Sequence, residues 1–135
     1  MPTVINDNAI ELAQSLAVDI ATRAGEADRA GRLPVEDVTS LRKSGFLALV
    51  VPREFGGWGE SLLTCVAAQL ELAKGSASTA LVAAMQHQVV GHQRETRTWR
   101  PDAYERIMSE AAAGGLLNHL GSEPRVHRRH IVDAC

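Results

Sequence analysis

The sequence predicts an all-α protein, a compact bundle of about five helices followed by an irregular C-terminal tail, and three observations carry that expectation. Apolar residues recur at intervals of three and four along most of the chain. The periodic segments are bounded by Ser, Asn, Pro and Gly at the positions where helices start and stop, with short connections between them. Aromatic residues make up only 4% of a chain rich in alanine, a composition suited to close contact between helices. At 135 residues, 45% of them hydrophobic and 22% charged, the chain has one domain's length and enough apolar surface for a core.

The first helix is expected from about Asn8 to Ala30, where Ala9, Leu12, Ala13, Leu16, Ala17, Ile20, Ala24 and Ala27 form one stripe. Asn6, Asp7 or Asn8 caps it and Gly31 ends it. Pro34 suits the first position of a second helix, since its missing N–H costs nothing there. Val35, Val38 and Leu41 form its buried edge, Glu36 and Asp37 favour the positive end of its dipole, Arg42 and Lys43 the negative end, and Gly45 stops it.

Between Phe46 and Gly59 the period is lost, and Gly56, Gly57 and Gly59 fall within four positions. An ordered loop is predicted there, with a positive φ at one of these glycines at least. Ser61 caps a third helix, Leu62 to Lys74, with Leu63, Val66, Ala67, Leu70 and Ala73 at helical spacing. Ser76 or Ser78 starts a fourth, with Leu81, Val82, Met85 and Val89 on one side; its weaker amphipathicity suits a position between neighbours. Pro101 opens a fifth, carrying Tyr104, Ile107, Met108, Ala111 and Ala112, and Gly114-Gly115 ends it. Leu116, Leu117 and Leu120 offer the start of a strand, and from Arg125 no cap and no period remain.

With 14 basic and 16 acidic side chains the formal charge is −2, so no global field draws the chain to nucleic acid or anionic lipid. The apolar stretches, such as Gly45 to Pro52 and Leu62 to Leu72, fall short of the roughly 20 residues that a bilayer span requires. The N-terminal residues lack the basic leader and apolar block of a secretory signal, and a cytoplasmic location is expected. Cys65 and Cys135 give neither a disulfide framework nor a paired metal-ligand spacing.

The loop Gly56-Gly57-Trp58-Gly59 invites comparison with phosphate-binding turns, but leucine stands where a dinucleotide loop needs its third glycine, and no Gly-Lys-Ser/Thr follows. His87 and His92 are five apart, so a helix turns them to different faces; His127 and His130 have only Asp133 and Cys135 near them, and no metal site is assigned. No Gly-x-Ser-x-Gly elbow occurs, and no catalytic residue is assigned. Met85, Gln86, His87 and Gln88 set polar groups in the middle of a mostly buried helix. Such groups either bond to adjoining helices or line a pocket.

Three strings, Leu33-Pro34-Val35-Glu36, Leu41-Arg42-Lys43-Ser44-Gly45-Phe46 and Val51-Pro52-Arg53-Glu54-Phe55-Gly56-Gly57-Trp58-Gly59, are followed in order by Glu71-Leu72-Ala73, Ser76-Ala77-Ser78-Thr79-Ala80 and Gly121-Ser122-Glu123-Pro124. From about Ala9 to Pro124 this series resembles the N-terminal helical domain of the acyl-CoA dehydrogenase family. The resemblance implies an N-terminal helical domain over residues 1–115, a remnant of the first strand of a middle β domain over 116–124, and an irregular tail over 125–135. It also implies a flavoprotein subunit of a homo-oligomer that passes a hydride from an acyl-CoA or related small substrate to FAD, or a flavin monooxygenase of the same fold. His119, Leu120, Gly121 and Ser122 match the segment beside the flavin, and Met85, Gln86 and His87 match the helix bordering the substrate.

After Pro124 the likeness ends, where the family continues with a Gly-Ser turn, a β domain and C-terminal helices that carry the catalytic base. The expectation is a truncated N-terminal domain that by itself binds no FAD and is inactive. A stand-alone helical interaction module without catalysis is the alternative.

Overall fold

The computed structural model describes residues 4–118. His119, Leu120, Gly121 and Ser122, the last part of the expected strand remnant, and the tail with His127, His130 and Cys135 lie outside the described residues. Among the described residues five α-helices and no strand occur: α1 (Asp7–Ala30), α2 (Val35–Lys43), α3 (Leu62–Ala73), α4 (Ala77–Thr96) and α5 (Pro101–Ala112). Short 3₁₀ turns, Phe46–Ala48 and Arg53–Phe55, occupy the connection between α2 and α3.

The ends of the helices follow local chemistry. Asn6 Oδ1 accepts the Asn8 N–H at 3.0 Å, Ser61 Oγ accepts the Thr64 N–H at 3.1 Å, and Ser76 Oγ accepts that of Thr79 at 3.3 Å. Gly31 closes α1 at φ 61°. Pro101 is the first residue of α5, whereas Pro34 stands one position earlier than predicted, as the cap of α2.

α1 packs along α3, and α3 along α4. Ala9, Ala13, Leu16 and Ile20 meet Ala68 and Leu72 in one core cluster, which continues through Leu41, Phe46 and Leu47. Tyr104, Met108 and Ala111 of α5 close a second cluster over Ala48, Val50 and Val51.

On α3 and α4 the stripe named from periodicity is not the buried face, and on α2 the expected edge is buried at Leu41 but not at Val35. On α3 the stripe Leu63, Val66 and Leu70 is exposed, and Thr64, Cys65, Ala68 and Leu72 are buried. On α4 Leu81 is exposed, and the inward set is Thr79, Ala80, Ala83, Gln86, His87, Val90 and Gln93. Both helices carry apolar residues on two faces, so periodicity defines a stripe without choosing which stripe meets the core.

On α2 Val35 is 75% exposed while Asp37, in the first turn, is 1% exposed. The carboxylate turns inward because two donors wait there. Arg23 Nε of α1 donates to Oδ1 at 2.8 Å, and the Thr79 hydroxyl of α4 donates to Oδ2 at 2.7 Å. One side chain thus joins three helices.

The loop from Phe46 to Glu60 is ordered, as predicted, and its apolar residues Phe46, Leu47, Leu49 and Val51 are fully buried. Backbone bonds fold it onto itself: Trp58 N–H to Ala48 O at 3.1 Å, Gly59 N–H to Val51 O at 2.9 Å and Glu60 N–H to Leu49 O at 2.8 Å. Gly56 adopts φ 92°, a conformation that side chains oppose. A Cβ on Gly57 would overlap the backbone of Val51, so the space over this glycine is filled by the chain itself.

Candidate functional site

Turning the apolar stripe of α3 outward leaves a groove between α3 and α4 of ≈ 980 Å³. Leu62, Val66 and Leu70 form one wall, and Ala77, Leu81 and Ala84 the other. Leu62, Leu70 and Leu81 are 72%, 64% and 63% exposed, so the groove presents its leucines to solvent. Contiguous apolar surface of this kind marks a place where a ligand or another polypeptide packs.

Polar groups stand at the floor and at one end. Arg94 Nη1 donates to Val50 O at 3.1 Å and to Glu60 O at 2.7 Å, and its Nε meets Glu95 Oε1 at 3.1 Å. Its Nε and Nη1 are therefore committed to protein acceptors. Burial pushes the Cys65 thiol up to about 11, against a smaller downward pull from the Arg94 charge. It is a protonated core thiol at neutral pH, with no nucleophilic character.

His87 is 5% exposed and borders the groove. Its Nε2 lies 2.8 Å from Phe46 O, which only accepts, so Nε2 carries the proton and Nδ1 keeps a lone pair. Burial lowers its pKa to about 4, outweighing the opposite effect of the bond to Phe46. The ring is neutral at pH 7 and leans on the Phe46 ring with centroids 5.4 Å apart. Across the groove Gln69 Nε2 donates to Ala80 O at 3.4 Å. Gln69 Oε1 and His87 Nδ1 are both buried, and neither has a protein partner.

The structure separates the three residues matched to the substrate helix. His87 borders the groove; Met85, 37% exposed, lies outside its lining. Gln86 is fully buried and grips the segment after α5, donating to Gly115 O at 3.0 Å and accepting the Leu117 N–H at 2.7 Å. His87 and His92 both border the groove, one buried and one exposed. Among the described residues no group of three His, Cys, Asp or Glu is placed to hold a metal.

Sequence reasoning missed Gln69 and the outward wall of α3. The recurrence of Leu62, Val66 and Leu70 at intervals of four was the available signal, since it runs beside a second inward set, Cys65, Ala68 and Leu72.

A family model described as "Acyl-CoA dehydrogenase, N-terminal domain" matches residues 10–96. A Bacillus subtilis (strain 168) protein named as an acyl-CoA dehydrogenase, YdbM, is 32% identical over 110 residues, which are 82% of this chain and 29% of that protein. A Pseudomonas putida protein named as an FMNH2-dependent monooxygenase, SfnC, is 34% identical over 132 residues, 94% of this chain and 32% of its own length. A dibenzothiophene monooxygenase of Rhodococcus erythropolis is 37% identical over 73 residues, 54% of this chain and 18% of its own. The chain thus spans about a third or less of the curated relatives it matches.

Proposed function

The chain belongs to the acyl-CoA dehydrogenase family, and on that premise we propose that it supplies the N-terminal helical domain of a flavin-dependent oxidoreductase, acting on an acyl thioester or in a related flavin monooxygenation. The observation that supports this most is the family match over residues 10–96, which takes in α2, α3, α4, the connections between them and most of α1. In this reading residues 1–115 are the helical domain, 116–124 open a middle β domain, and 125–135 are an irregular tail. The protein is cytoplasmic and works as a homo-oligomer without nucleic acid; no helix among the described residues is long and apolar enough to cross a membrane.

In the family the flavin accepts the hydride or, in the monooxygenases, activates oxygen. The described residues do not fit that group by themselves. The glycine loop is filled by the chain's own backbone, and Arg94, the arginine that borders the α3–α4 groove among the described residues, already gives its Nη1 to protein oxygens. Contacts to FAD are assigned to His119, Leu120, Gly121 and Ser122 together with the domains that the longer relatives possess. The substrate-facing role is assigned to α4, with His87 as the member that borders the groove and Met85 and Gln86 beside it.

The reading is tested by assay. The purified 135-residue chain, given FAD, an acyl-CoA and an artificial electron acceptor, shows no turnover; turnover would overturn its inactivity alone. Joined to the middle and C-terminal domains of the Bacillus relative, the same residues yield a protein that takes up FAD and reduces it with acyl-CoA or uses it with oxygen. A chimera that holds FAD and does neither would overturn the oxidoreductase reading.

The exposed Leu62, Leu70 and Leu81 favour one second reading, an interaction module that kept the fold without the chemistry. It requires a defined dimer or heteromer in solution, and a monodisperse monomer that captures no partner removes it.

A further inference from the structure

We propose that Gln86 is a positioning residue: through its side-chain amide, α4 fixes the path on which the chain leaves the helical domain, just before residues 119–122, the stretch assigned to the flavin. The inference rests on that assignment and gives Gln86 a duty that touches neither substrate nor cofactor.

Burial sets the problem. Gln86 stands in the middle of α4 and is fully buried. A primary amide shut off from water is costly unless its groups are bonded, and an apolar side chain of similar bulk would fill the space without that cost. Gln86 is not among the residues that border the α3–α4 groove, whereas His87, the next residue, is. A helix turns about 100° per residue, so the two side chains leave α4 in different directions. His87 holds Phe46 O in the loop after α2, and Gln86 holds the segment after α5.

The bonds explain why the residue is glutamine. Its Nε2 donates to Gly115 O at 3.0 Å, and its Oε1 accepts the Leu117 N–H at 2.7 Å. These two groups belong to the peptides on either side of Leu116. A parallel strand would meet the same pair, one of its residues giving an N–H to the carbonyl and a C=O to the amide two positions on. The amide of Gln86 offers that donor and that acceptor from one planar group. With one side chain α4 supplies a strand-like contact that the backbone of a helix cannot make.

The rest of the segment leaves this contact a task. Gly114 takes φ 88°, and the Gly115 N–H returns to Glu110 O at 2.8 Å, which ends α5 and turns the chain. Leu117 packs against the second core cluster, whereas Leu116 is 40% exposed. The turn fixes where the segment begins, and apolar packing is non-directional. The two bonds from Gln86 are directional and set the rotation of the peptides that flank Leu116. That rotation is thereby tied to α4, the helix that borders the groove, as well as to α5.

The test begins with the 135-residue chain, in which the Leu117 amide and one Gln86 side-chain N–H are both expected to be protected from hydrogen exchange; free exchange of either would overturn the proposal without any substitution. Two variants follow. Gln86→Met keeps the bulk and removes both bonds, and Ala83→Gly weakens α4 at a buried position outside the groove lining. Exchange at Leu117, read relative to the Val90 amide of α4, is expected to quicken about tenfold in Gln86→Met and to keep the parent ratio in Ala83→Gly. In the chimera with the Bacillus domains, Gln86→Met is expected to weaken FAD binding about tenfold and to change the circular dichroism of the bound flavin, and Ala83→Gly to leave both as they are. An unchanged Leu117 ratio, flavin binding and dichroism untouched by Gln86→Met, or equal effects from Ala83→Gly would each overturn the proposal. A chimera that holds FAD and neither reduces it nor uses it with oxygen overturns the oxidoreductase reading instead, and leaves the exchange and flavin-binding results to decide the role of Gln86.

Discussion

Helix α4 buries Thr79, Gln86, His87 and Gln93, and the contrast between the first and the third of these is instructive. At the first turn Thr79 and Arg23 donate to the two oxygens of Asp37, so the carboxylate of α2 is occupied on both sides. Two turns further on, His87 spends its one proton on Phe46 O, and its second nitrogen meets no protein donor; Gln69 Oε1 across the groove is in the same condition. Both levels sit in a low-dielectric interior where an unmet polar group is costly. The difference teaches where each belongs. A satisfied cluster fixes how helices cross, and an unmet acceptor subtracts from the stability of the same interior.

The sharpest way to break this contrast is to open the closed level. Asp37→Ala leaves the buried Thr79 hydroxyl without its acceptor and takes one of the two carboxylates from Arg23. The expected loss is about 3 kcal/mol in urea unfolding, because one partner of a buried charged cluster is removed while the others remain. Arg23 is a quarter exposed and keeps Asp19, which holds the effect at the lower end for such changes. A loss below about 1 kcal/mol would show that the carboxylate does not set the α1–α2–α4 crossing.

The open level is tested by pH. His87 has a folded pKa of about 4 against an ordinary 6.5, so between these values the unfolded chain binds a proton that the folded chain refuses. Stability is therefore complete above about pH 6.5, falls as pH drops through that window, and levels near pH 4. The loss attributable to this one group is on the order of 2–3 kcal/mol. The checking measurement is the difference in melting temperature between the parent and His87→Asn across that range. Parallel pH curves for the two proteins would contradict a neutral buried imidazole.

How much of this was legible in the sequence follows from the range of the interactions. The caps at Asn6, Ser61 and Ser76, the stop at Gly31 and the start at Pro101 are decided within four residues, and all five were found. The inward turn of Asp37 depends on Arg23 and Thr79, 14 and 42 positions away, and no local signal announces it. The facing of α3 was not decided by periodicity, because Leu63, Val66 and Leu70 compete with Cys65, Ala68 and Leu72 for one core. The approach of α1 is close at the end of α3, where a Cβ on Gly75 would come within 2.7 Å of the Ala17 Cα. Gln86 and His87 stood out as polar groups in a buried helix, but their destinations, Gly115–Leu117 and Phe46, were visible only in the fold.

A smaller effect sharpens the link between the two levels through the loop that supplies Phe46 O. Gly57→Ala places a Cβ into the Val51 backbone, and relief requires the loop to shift. The expected cost is about 2 kcal/mol, as for other insertions into a packed interior. Gly56→Ala, which meets only strain at φ 92° with its nearest neighbour 3.7 Å away, should lose about 1 kcal/mol. If both tolerate alanine with unchanged melting temperature, the turn is not what holds Phe46 against His87.

The smallest effect is expected on the groove wall. Leu70 is 64% exposed, while Leu72, two positions along the same helix, is fully buried in the α1–α3 core. Leu70→Ser removes apolar surface that already faces water, so folding stability should change by no more than about 0.5 kcal/mol. One other readout should move: self-association at high concentration falls because the contiguous leucine surface is interrupted. A stability loss of the size that core leucines show, about 2 kcal/mol or more, would mean that Leu70 packs against its own chain. The groove would then be an internal seam of the bundle.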